Sequence, residues 1–294
     1  MLRLQRTSFW AFPLAALLGT ATASAQAPPI ADPAAEQPPQ APTAQTDAVS
    51  AKTVHKQPRR NRGCRMYATP SYRKMIQRWH KVPPIPKPKW RDGFRDLTLY
   101  SVNLGERIRV FPFLPDGSPD AAALDEIARA MRDKNTDAVH TVSPRLIQLV
   151  YKLAIKFNVR QITIISGYRP PKEEEGGGHH ADATAIDIAF SGVRLPVLAQ
   201  AARRLGHVGV GFYPTSGFVH LDVREGRSYF WVDRSGPGQP SCVRPLEPAR
   251  AFAYDAKWRP EKDAPAPAKN RKGELLGAQP VPPAAATPEI LPNG

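Results

Sequence analysis

The sequence predicts an α+β fold, and three observations lead to that prediction. Residues 184–190 and 218–223 alternate apolar and polar side chains with the period of two that is typical of strands. The segments after the Ser-Pro pairs at 118–119 and 143–144 carry apolar residues at helical spacing. Two β-rich runs within 97–113 flank a short turn and predict a hairpin. Helices and strands are therefore expected together in one domain.

The first predicted element is this hairpin. Residues 97–102 and 107–113 are rich in apolar and β-branched side chains, and the segment 103–106 (NLGE) between them predicts the turn. A second turn is expected at 115–118 (PDGS), because proline, aspartate and glycine all favour turn geometry.

Two helices are predicted from their N-terminal signals. In Ser118-Pro119-Asp120 and in Ser143-Pro144, the serine supplies a capping side chain and the proline a first-turn residue with a pre-set φ angle. A third helix is predicted at about 195–205. The apolar residues of the first two helices are expected to be core positions rather than parts of a cofactor site; they are Leu124, Ile127, Met131, Leu146, Ile147, Val150, Ala154 and Phe157.

The two alternating strands carry polar side chains that can meet at one point. In the first, at 184–190, the period of two points Asp187 away from the aliphatic face. In the second, at 218–223, it places His220 and Asp222 on the same face. If the strands are adjacent, they present a histidine and a carboxylate to one location.

A third candidate ligand, His180, lies seven positions before Asp187, in the segment that enters the first of these strands. Two histidines and one carboxylate form a three-ligand set that leaves zinc one open position for water. The sequence therefore predicts a Zn²⁺ site made by His180, Asp187 and His220, with hydrolysis as its chemistry.

Two other histidines compete as ligands. His179 is next to His180, and neighbours on an extended segment point in opposite directions, so only one of the pair is expected to face the metal. The seven-residue spacing to Asp187 favours His180. His207 follows Gly206 at a predicted helix end, where a histidine more often caps carbonyl groups and interacts with the helix dipole.

These motifs resemble those of the zinc peptidases of the D-alanyl-D-alanine carboxypeptidase and hedgehog-like fold, especially the murein endopeptidase K (YcbK-like) branch. The first metal motif of that family is His-x-x-Gly-x-Ala-x-Asp, matched here by His180, Ala185 and Asp187. The last is Phe-Val-His-x-Asp after a Gly-Val-Gly-Tyr-Tyr-Pro-like run, matched here at 218–222 and 209–214.

The resemblance covers about residues 97–232 and implies both fold and activity. The implied fold is hedgehog/D-Ala-D-Ala carboxypeptidase-like, with a small, mostly antiparallel sheet and flanking helices. The implied activity is hydrolysis of peptide cross-links or stem peptides of peptidoglycan through a metal-activated water. Two departures lie near the first motif, where Ala183 replaces a glycine and Gly178 replaces a frequent serine. Neither removes a ligand, although alanine resists backbone angles that glycine permits.

The group that transfers protons is not where this fold usually has it. Many relatives use a glutamate three residues before the last histidine, and here that position is Gly217. Asp222 is the candidate substitute, either as a general base or as the carboxylate that fixes a metal-bound His220. Arg169 matches an arginine expected to hold a substrate carboxylate or the developing oxyanion, with a local ion pair as the alternative.

Composition divides the chain into four segments. Residues 1–25 have a positive start, an apolar stretch and a small-residue cleavage site, which predicts a signal peptide and a periplasmic or otherwise exported protein. Residues 26–65 are Pro/Ala-rich and then basic, and residues 246–294 are Pro/Ala-rich; both are expected to be disordered because they bury too little apolar surface. The zinc peptidase-like domain is therefore predicted at 66–245. No transmembrane segment is expected after signal removal.

The chain has two cysteines, Cys64 and Cys242, which bracket this domain. In an exported protein the pair can form a disulfide that joins the two ends. Closing 242 − 64 = 178 positions contributes about 5 kcal/mol to stability in the chain-entropy model. Zinc ligation by cysteine is less favoured, since neither residue lies near the histidine motifs.

The chain is strongly basic, with 41 Lys and Arg against 26 Asp and Glu and a formal net charge of +15. Much of the excess lies in residues 52–65 and in the lysines and arginines that follow up to Lys89. A basic flank favours attraction to polyanions. Because export is predicted, peptidoglycan or an anionic surface is the expected partner rather than nucleic acid, and a merely solvated flank is the alternative.

The sequence thus predicts an exported zinc metallopeptidase, either a murein endopeptidase or a carboxypeptidase. An alternative from a different class is a catalytically inactive, zinc-containing peptidoglycan-binding module, which the glycine at the usual base position motivates. A third interpretation is a non-enzymatic anchor that acts through its basic and proline-rich flanks.

Overall fold

The structure, a computed structural model, describes residues 65–171, 178–246 and 248–278. The predicted signal peptide, residues 26–64 with Cys64, and residues 279–294 lie outside these ranges. Within the described ranges, no helix has both the length and the apolar character needed to cross a membrane.

Ten strands and five helices make up the described part of the chain. The strands are β1 (Trp90–Arg91), β2 (Phe94–Arg95), β3 (Leu97–Ser101), β4 (Glu106–Val110), β5 (Ile162–Ser166), β6 (Ala185–Phe190), β7 (Val208–Tyr213), β8 (Phe218–Val223), β9 (Tyr229–Asp233) and β10 (Val243–Leu246). The helices are α1 (Pro70–His80), α2 (Ala121–Ala130), α3 (Pro144–Lys156), α4 (Leu195–Ala202) and α5 (Pro248–Ala256), followed by a 3₁₀ turn at Pro260–Lys262. β1 and β2 form a hairpin, and the other strands form one eight-stranded sheet in the order β10-β9-β7-β8-β6-β5-β3-β4.

This architecture confirms the predicted α+β class and the mostly antiparallel sheet. Among the described strands, only the β7–β9 and β3–β5 pairs are parallel. The prediction of a small sheet is wrong, because β9 and β10 extend it beyond the strands that carry the motifs. β10 contains a proline and is mostly exposed, so no apolar alternation marks it in the sequence. The relation to a named fold stays a prediction.

The centre of the sheet is buried beneath helices. β6 and β8 are neighbours in the middle of the sheet, and β6 is buried along its whole length. α3 and α4 pack against these strands, so their apolar faces join the strand side chains in one core. The predicted core residues Ile127, Met131, Leu146, Ile147, Val150 and Ala154 are fully buried there, and Leu124 and Phe157 pack against it.

The first residues of α2 and α3 can be compared with the N-cap residues predicted from the sequence. α3 begins at Pro144 with Ser143 as its N-cap, as predicted. α2 begins two residues later than its Ser-Pro pair predicts, because Asp120 is the residue that caps it. Its carboxylate accepts hydrogen bonds from two amides of the first turn, whereas Ser118 bonds to Asp116 in the preceding turn. α4 ends at Ala202, slightly earlier than predicted.

Helix α1 has no counterpart in the sequence prediction. Thr69 caps it by accepting a hydrogen bond from the Tyr72 amide at 3.2 Å, and just one of its residues is fully buried, which leaves a weak apolar pattern. The helix fixes the turn between β7 and β8. The Tyr72 hydroxyl donates to the Ser216 carbonyl at 3.1 Å, and His80 Nε2 lies 3.2 Å from the Gly217 carbonyl.

The segment after β10 differs from the disordered tail expected at 246–294. α5 and the 3₁₀ turn lie within it, and Asp263 anchors it by accepting hydrogen bonds from Arg145 Nε at 2.8 Å and Trp258 Nε1 at 2.9 Å. Composition does not predict that this segment is folded, because its structure depends on individual polar and aromatic residues that contact distant parts of the chain. The predicted disorder of residues 279–294 stays a prediction.

The start of the described chain lies beside the loop that follows β9. The Gly236 amide donates to the Arg65 carbonyl at 2.9 Å. In the same loop, the Cys242 amide donates to Asp233 Oδ1 at 3.0 Å. Because Cys64 lies outside the described residues, its bond with Cys242 stays a prediction that this neighbourhood supports.

We expect no alkylation of Cys64 or Cys242 when the protein is isolated and labelled without reductant. Reduction should lower the free energy of unfolding by roughly 2–5 kcal/mol, since it removes a long covalent loop from the unfolded chain. Intact-mass spectrometry and urea denaturation measure the two effects, with the Cys64→Ser, Cys242→Ser double variant as the control. Two alkylated thiols in the unreduced protein contradict the prediction.

Candidate metal centre

Three side chains converge where β6 and β8 lie side by side. Asp187 in β6 pairs directly with His220 in β8, and His180 comes from the segment before β6. His220 Nδ1 is 2.8 Å from Asp187 Oδ1. His180 Nε2 is 3.2 Å from His220 Nδ1 and 3.4 Å from Asp187 Oδ1. The three predicted ligands are thus buried together.

Hydrogen bonds on the outer side of each ring decide which nitrogen faces the centre with a lone pair. His180 Nδ1 is 2.6 Å from the Gly167 carbonyl oxygen, which only accepts, so Nδ1 carries the hydrogen. His220 Nε2 is 3.1 Å from Asp222 Oδ2 and donates to that carboxylate. In their neutral forms, the two rings therefore present lone pairs to each other and to Asp187.

This donor set fits a divalent cation in tetrahedral coordination. Ligand distances of about 2.0–2.2 Å around zinc separate neighbouring donor atoms by roughly 3.3 Å, close to the 2.8–3.4 Å measured between these donors. Buried lone-pair donors that face one another need a proton or a cation between them. Among the described residues, His180, Asp187 and His220 form a group whose donor atoms all lie within 4.8 Å of one another and can hold a metal.

The electrostatics of the centre also favour a positive ion. Burial opposes the charge of the Asp187 carboxylate, but His180 and His220 hold its pKa well below the usual range. Burial likewise opposes a charge on His220, yet hydrogen bonds to Asp187 and Asp222 raise the pKa of that ring to about 9. A site that draws a proton this strongly has a negative potential, and the same potential stabilises a divalent cation.

Asp222 lies behind His220 with both of its oxygens engaged. Oδ1 accepts from the Gly209 amide at 3.0 Å and from Arg224 Nε at 2.8 Å. Oδ2 accepts from His220 Nε2 at 3.1 Å and from Arg224 Nη2 at 2.6 Å. Burial raises the pKa of Asp222, but His220 and Arg224 outweigh it and hold that pKa well below the usual range. The carboxylate is fully buried and holds the ring of His220 from its outer side.

The turn before β6 explains one departure from the family motif. Ala183, which stands where the resembling family has glycine, is buried with a φ of +48°. Alanine adopts this left-handed conformation at a cost of about 1–2 kcal/mol. The Ala183 carbonyl accepts from the Ser143 amide at 3.2 Å, and the Thr184 amide donates to the His179 carbonyl at 2.9 Å. These bonds hold the turn that carries His180.

Residue 217, where the resemblance leads one to expect a glutamate, is closely packed against a side chain of α1. Gly217 has a φ of +83°, and a Cβ there would lie 2.6–2.8 Å from three side-chain atoms of Ile76. Ile76 belongs to α1, which packs against this turn. A glutamate at residue 217 would therefore meet α1.

A cleft of about 540 Å³ opens in front of the centre. Its lining includes His180 and His220 and, beyond the centre, Arg169, His179, Arg224, Tyr229 and Trp231. Arg169 is exposed, and within the described residues its guanidinium makes no hydrogen bond or ion pair. The local ion pair considered for Arg169 in the sequence analysis is thus not found among the described residues.

The competing histidines lie apart from the three donors. His179 Nδ1 bonds to Thr184 Oγ1 at 3.2 Å, and its Nε2 is 3.7 Å from Asp222 Oδ1, so the ring borders the cleft without joining the cluster. His207 packs its ring on Trp258 and bonds to the Gly226 carbonyl at 2.8 Å, away from the centre.

Sequence reasoning did not identify the aromatic residues next to the centre. The Trp231 ring lies 5.2 Å from that of His220 and stacks on Tyr229 at 5.5 Å. Trp231 Nε1 donates to the Tyr213 hydroxyl at 3.1 Å, and burial raises the pKa of Tyr213 to about 12. The available signal was the alternation in β9, which puts residues 229 and 231 on one face.

Two buried histidines and a buried carboxylate, held by two central strands and the turn before β6 and open to a cleft, form the arrangement of a hydrolytic metalloenzyme. The comparisons with known proteins make the class specific, and the chain is a metallopeptidase. Residues 90–229 match the family described as Peptidoglycan L,D-endopeptidase MepK. The chain belongs to this family, which confirms the murein endopeptidase K branch named from the motifs.

Two relatives illustrate the extent of the similarity. The chain is 34% identical over 157 residues to the "Probable peptidoglycan L,D-endopeptidase MepK" of Haemophilus influenzae, covering 49% of this chain and 80% of that protein. It is 27% identical over 146 residues to the "Peptidoglycan L,D-endopeptidase MepK" of Escherichia coli K12, covering 46% of this chain and 80% of that protein. No solved structure matches the chain at a significant level.

Proposed function

We propose that this protein is an exported, zinc-dependent peptidoglycan L,D-endopeptidase. The observation that carries the proposal is the cluster of three inward-facing donors, His180, Asp187 and His220, in a member of a family named for that activity. The naming of the relatives favours endopeptidase action over the carboxypeptidase alternative.

His180, Asp187 and His220 would hold the zinc ion. Bound there, zinc supplies a Lewis acid and lowers the pKa of water towards about 7, which provides a nucleophile at neutral pH. The chain's own contribution is to keep three donors fixed and desolvated, two of them on the central strands β6 and β8 and the third, His180, in the turn before β6. The Gly167 carbonyl and Asp222 set the tautomers that leave the inner nitrogens free to bind.

Asp222 has the role of a positioning residue in this proposal. Its oxygens accept four hydrogen bonds, from Gly209, His220 and twice from Arg224. A general base must reach the proton that it abstracts, and a fully buried carboxylate with this many donors is better suited to orienting His220. Of the two roles that the sequence left open, the geometry favours the second.

Arg169 binds an anionic part of the substrate in this proposal. Its guanidinium is exposed, lines the cleft beside His180 and His220, and has no ion-pair partner among the described residues. A planar guanidinium forms two parallel hydrogen bonds with a carboxylate, and it can also stabilise the oxyanion that develops during hydrolysis.

The alternative of an inactive wall-binding module is not favoured, because the chain belongs to a family of enzymes and the candidate ligand set is complete. Export is proposed from the signal-like residues 1–25, which lie outside the described residues. The relatives' names support peptidoglycan as the substrate, and the basic N-terminal flank favours contact with the anionic wall.

The test is a digest of purified peptidoglycan with the mature protein. We expect new muropeptides cut at L,D cross-links, loss of these products with a chelator, and their return with zinc. Mass spectrometry identifies the cleaved bond, and elemental analysis of the same sample gives its zinc content independently of activity. A folded, zinc-loaded protein that releases no products would overturn the proposal.

A further inference from the structure

Arg169 and Arg224 lie just beyond the same end of the sheet, on opposite sides of β6. β5 and β8 both pair with β6 in antiparallel register, so both run towards the end at which β6 begins. Arg169 follows β5 and Arg224 follows β8 directly. Adjacent strands are about 4.8 Å apart, so these two chain segments are separated by roughly 10 Å, with the start of β6 between them.

Arg224 uses one edge of its guanidinium inside the protein. Nε and Nη2 bind the two oxygens of Asp222 at 2.8 and 2.6 Å. A guanidinium has five N–H groups, and this contact uses one on each of those two nitrogens. The side chain is 19% exposed and lines the cleft, and within the described residues Nη1 has no hydrogen-bond partner. Asp222 thus holds one edge of the Arg224 guanidinium, while N–H groups on the rest of the guanidinium can donate to a ligand.

Among the described residues that line the cleft, the exposed charged side chains favour an anion. The described lining contains two guanidinium groups, Arg169 and Arg224, and one carboxylate, Asp222, which is fully buried and paired. An anion between or beside these arginines meets no exposed carboxylate from the described lining. An extended peptide advances about 3.3–3.6 Å per residue, so a separation of roughly 10 Å corresponds to about three residues.

We propose that Arg224 is a specificity-determining residue that binds a substrate carboxylate on the side of the scissile bond opposite to the one held by Arg169. The preferred substrate is therefore a cross-linked peptide with a free carboxylate on each side of the cleaved amide. This inference rests on the proposed peptidase function and adds the substrate class. The ion pair with Asp222 holds the Arg224 guanidinium in place before substrate arrives.

The test uses three cross-linked peptides: one with both flanking carboxylates free, and two with one or the other converted to a carboxamide. Binding is measured by calorimetry on zinc-loaded protein, with analogues whose scissile amide is replaced by a ketomethylene group. We expect each amidation to weaken binding to the wild type by roughly 10- to 100-fold, the range for a charge-assisted hydrogen bond. Arg224→Gln should abolish the difference for one amidated peptide and retain it for the other.

Arg224→Lys controls for misfolding, since it keeps a positive charge beside Asp222 but lacks the planar second edge of a guanidinium. It should also lose most of the difference in affinity between the free and the amidated peptide. Arg244→Gln, an exposed position in β10, controls for the change in net charge and should keep the wild-type ratios. If Arg224→Gln and Arg224→Lys weaken binding of all three peptides equally, Arg224 acts only through Asp222 and the inference is overturned. It is also overturned if both variants keep the wild-type ratios. Cleavage of the parent amides, measured separately, tests the proposed function whatever the binding shows.

Discussion

Replacing His220 with alanine is expected to remove the bound metal and abolish hydrolysis. Structural zinc contributes about 10–16 kcal/mol with four ligands, so one ligand contributes on the order of 3 kcal/mol, or at least roughly 100-fold in affinity. The loss of a Lewis acid worth several kcal/mol lowers the rate by about 1,000-fold or more. Elemental analysis after dialysis and turnover of muropeptides measure the two effects, and circular dichroism verifies the fold.

Two matched variants separate the effect of losing a metal ligand from the effect of losing a residue that only orients one. Asp222→Asn keeps the shape and an acceptor for His220 Nε2 but removes the charge, so we expect metal affinity to fall by about 10- to 100-fold while the ligands remain. His207→Ala removes a ring that lies outside the centre and should retain the metal. A His220→Ala protein that holds one zinc per chain after dialysis would contradict the assignment of this ligand.

Much of this centre could be predicted from the sequence because strand geometry is simple. A period of two fixes the face of each side chain, so residues 187 and 220 each point away from an apolar face. Periodicity cannot give strand order or register. The direct pairing of Asp187 with His220 depends on which strands are neighbours, and that follows from the packing of the whole sheet. The motif resemblance supplied what the periodicity could not.

The elements that the sequence did not predict share a physical cause. α1 lies on the surface with a single fully buried residue, and β10 is mostly exposed, so neither has the apolar pattern on which a prediction depends. Asp120 takes the cap of α2 although Ser118 precedes a proline, because a nearby carboxylate can accept from two amides at once. In each case a contact formed only in the folded chain decides the outcome.

Helix α1 occupies the space next to Gly217, so a side chain introduced at this position is expected to be unfavourable. Gly217→Glu, which introduces the glutamate expected at this position from the motif resemblance, should destabilise the protein by roughly 2–5 kcal/mol and leave turnover no higher. A non-glycine residue at positive φ costs about 1–2 kcal/mol, and overpacking against Ile76 adds about 1–3 kcal/mol. The Cβ direction at Gly217 leads into α1. Urea denaturation and muropeptide turnover measure the two effects.

Two control variants separate the backbone cost from the steric cost in this loss of stability. Gly105 also has a positive φ, of +69°, but a Cβ there would meet nothing within 4 Å, so Gly105→Glu should show the backbone cost alone. Adding Ile76→Ala to Gly217→Glu should recover the steric part, and a double-mutant cycle gives its size. If Gly217→Glu is as stable as the wild type and hydrolyses faster, then α1 does not close this position, and a glutamate there can act at the centre.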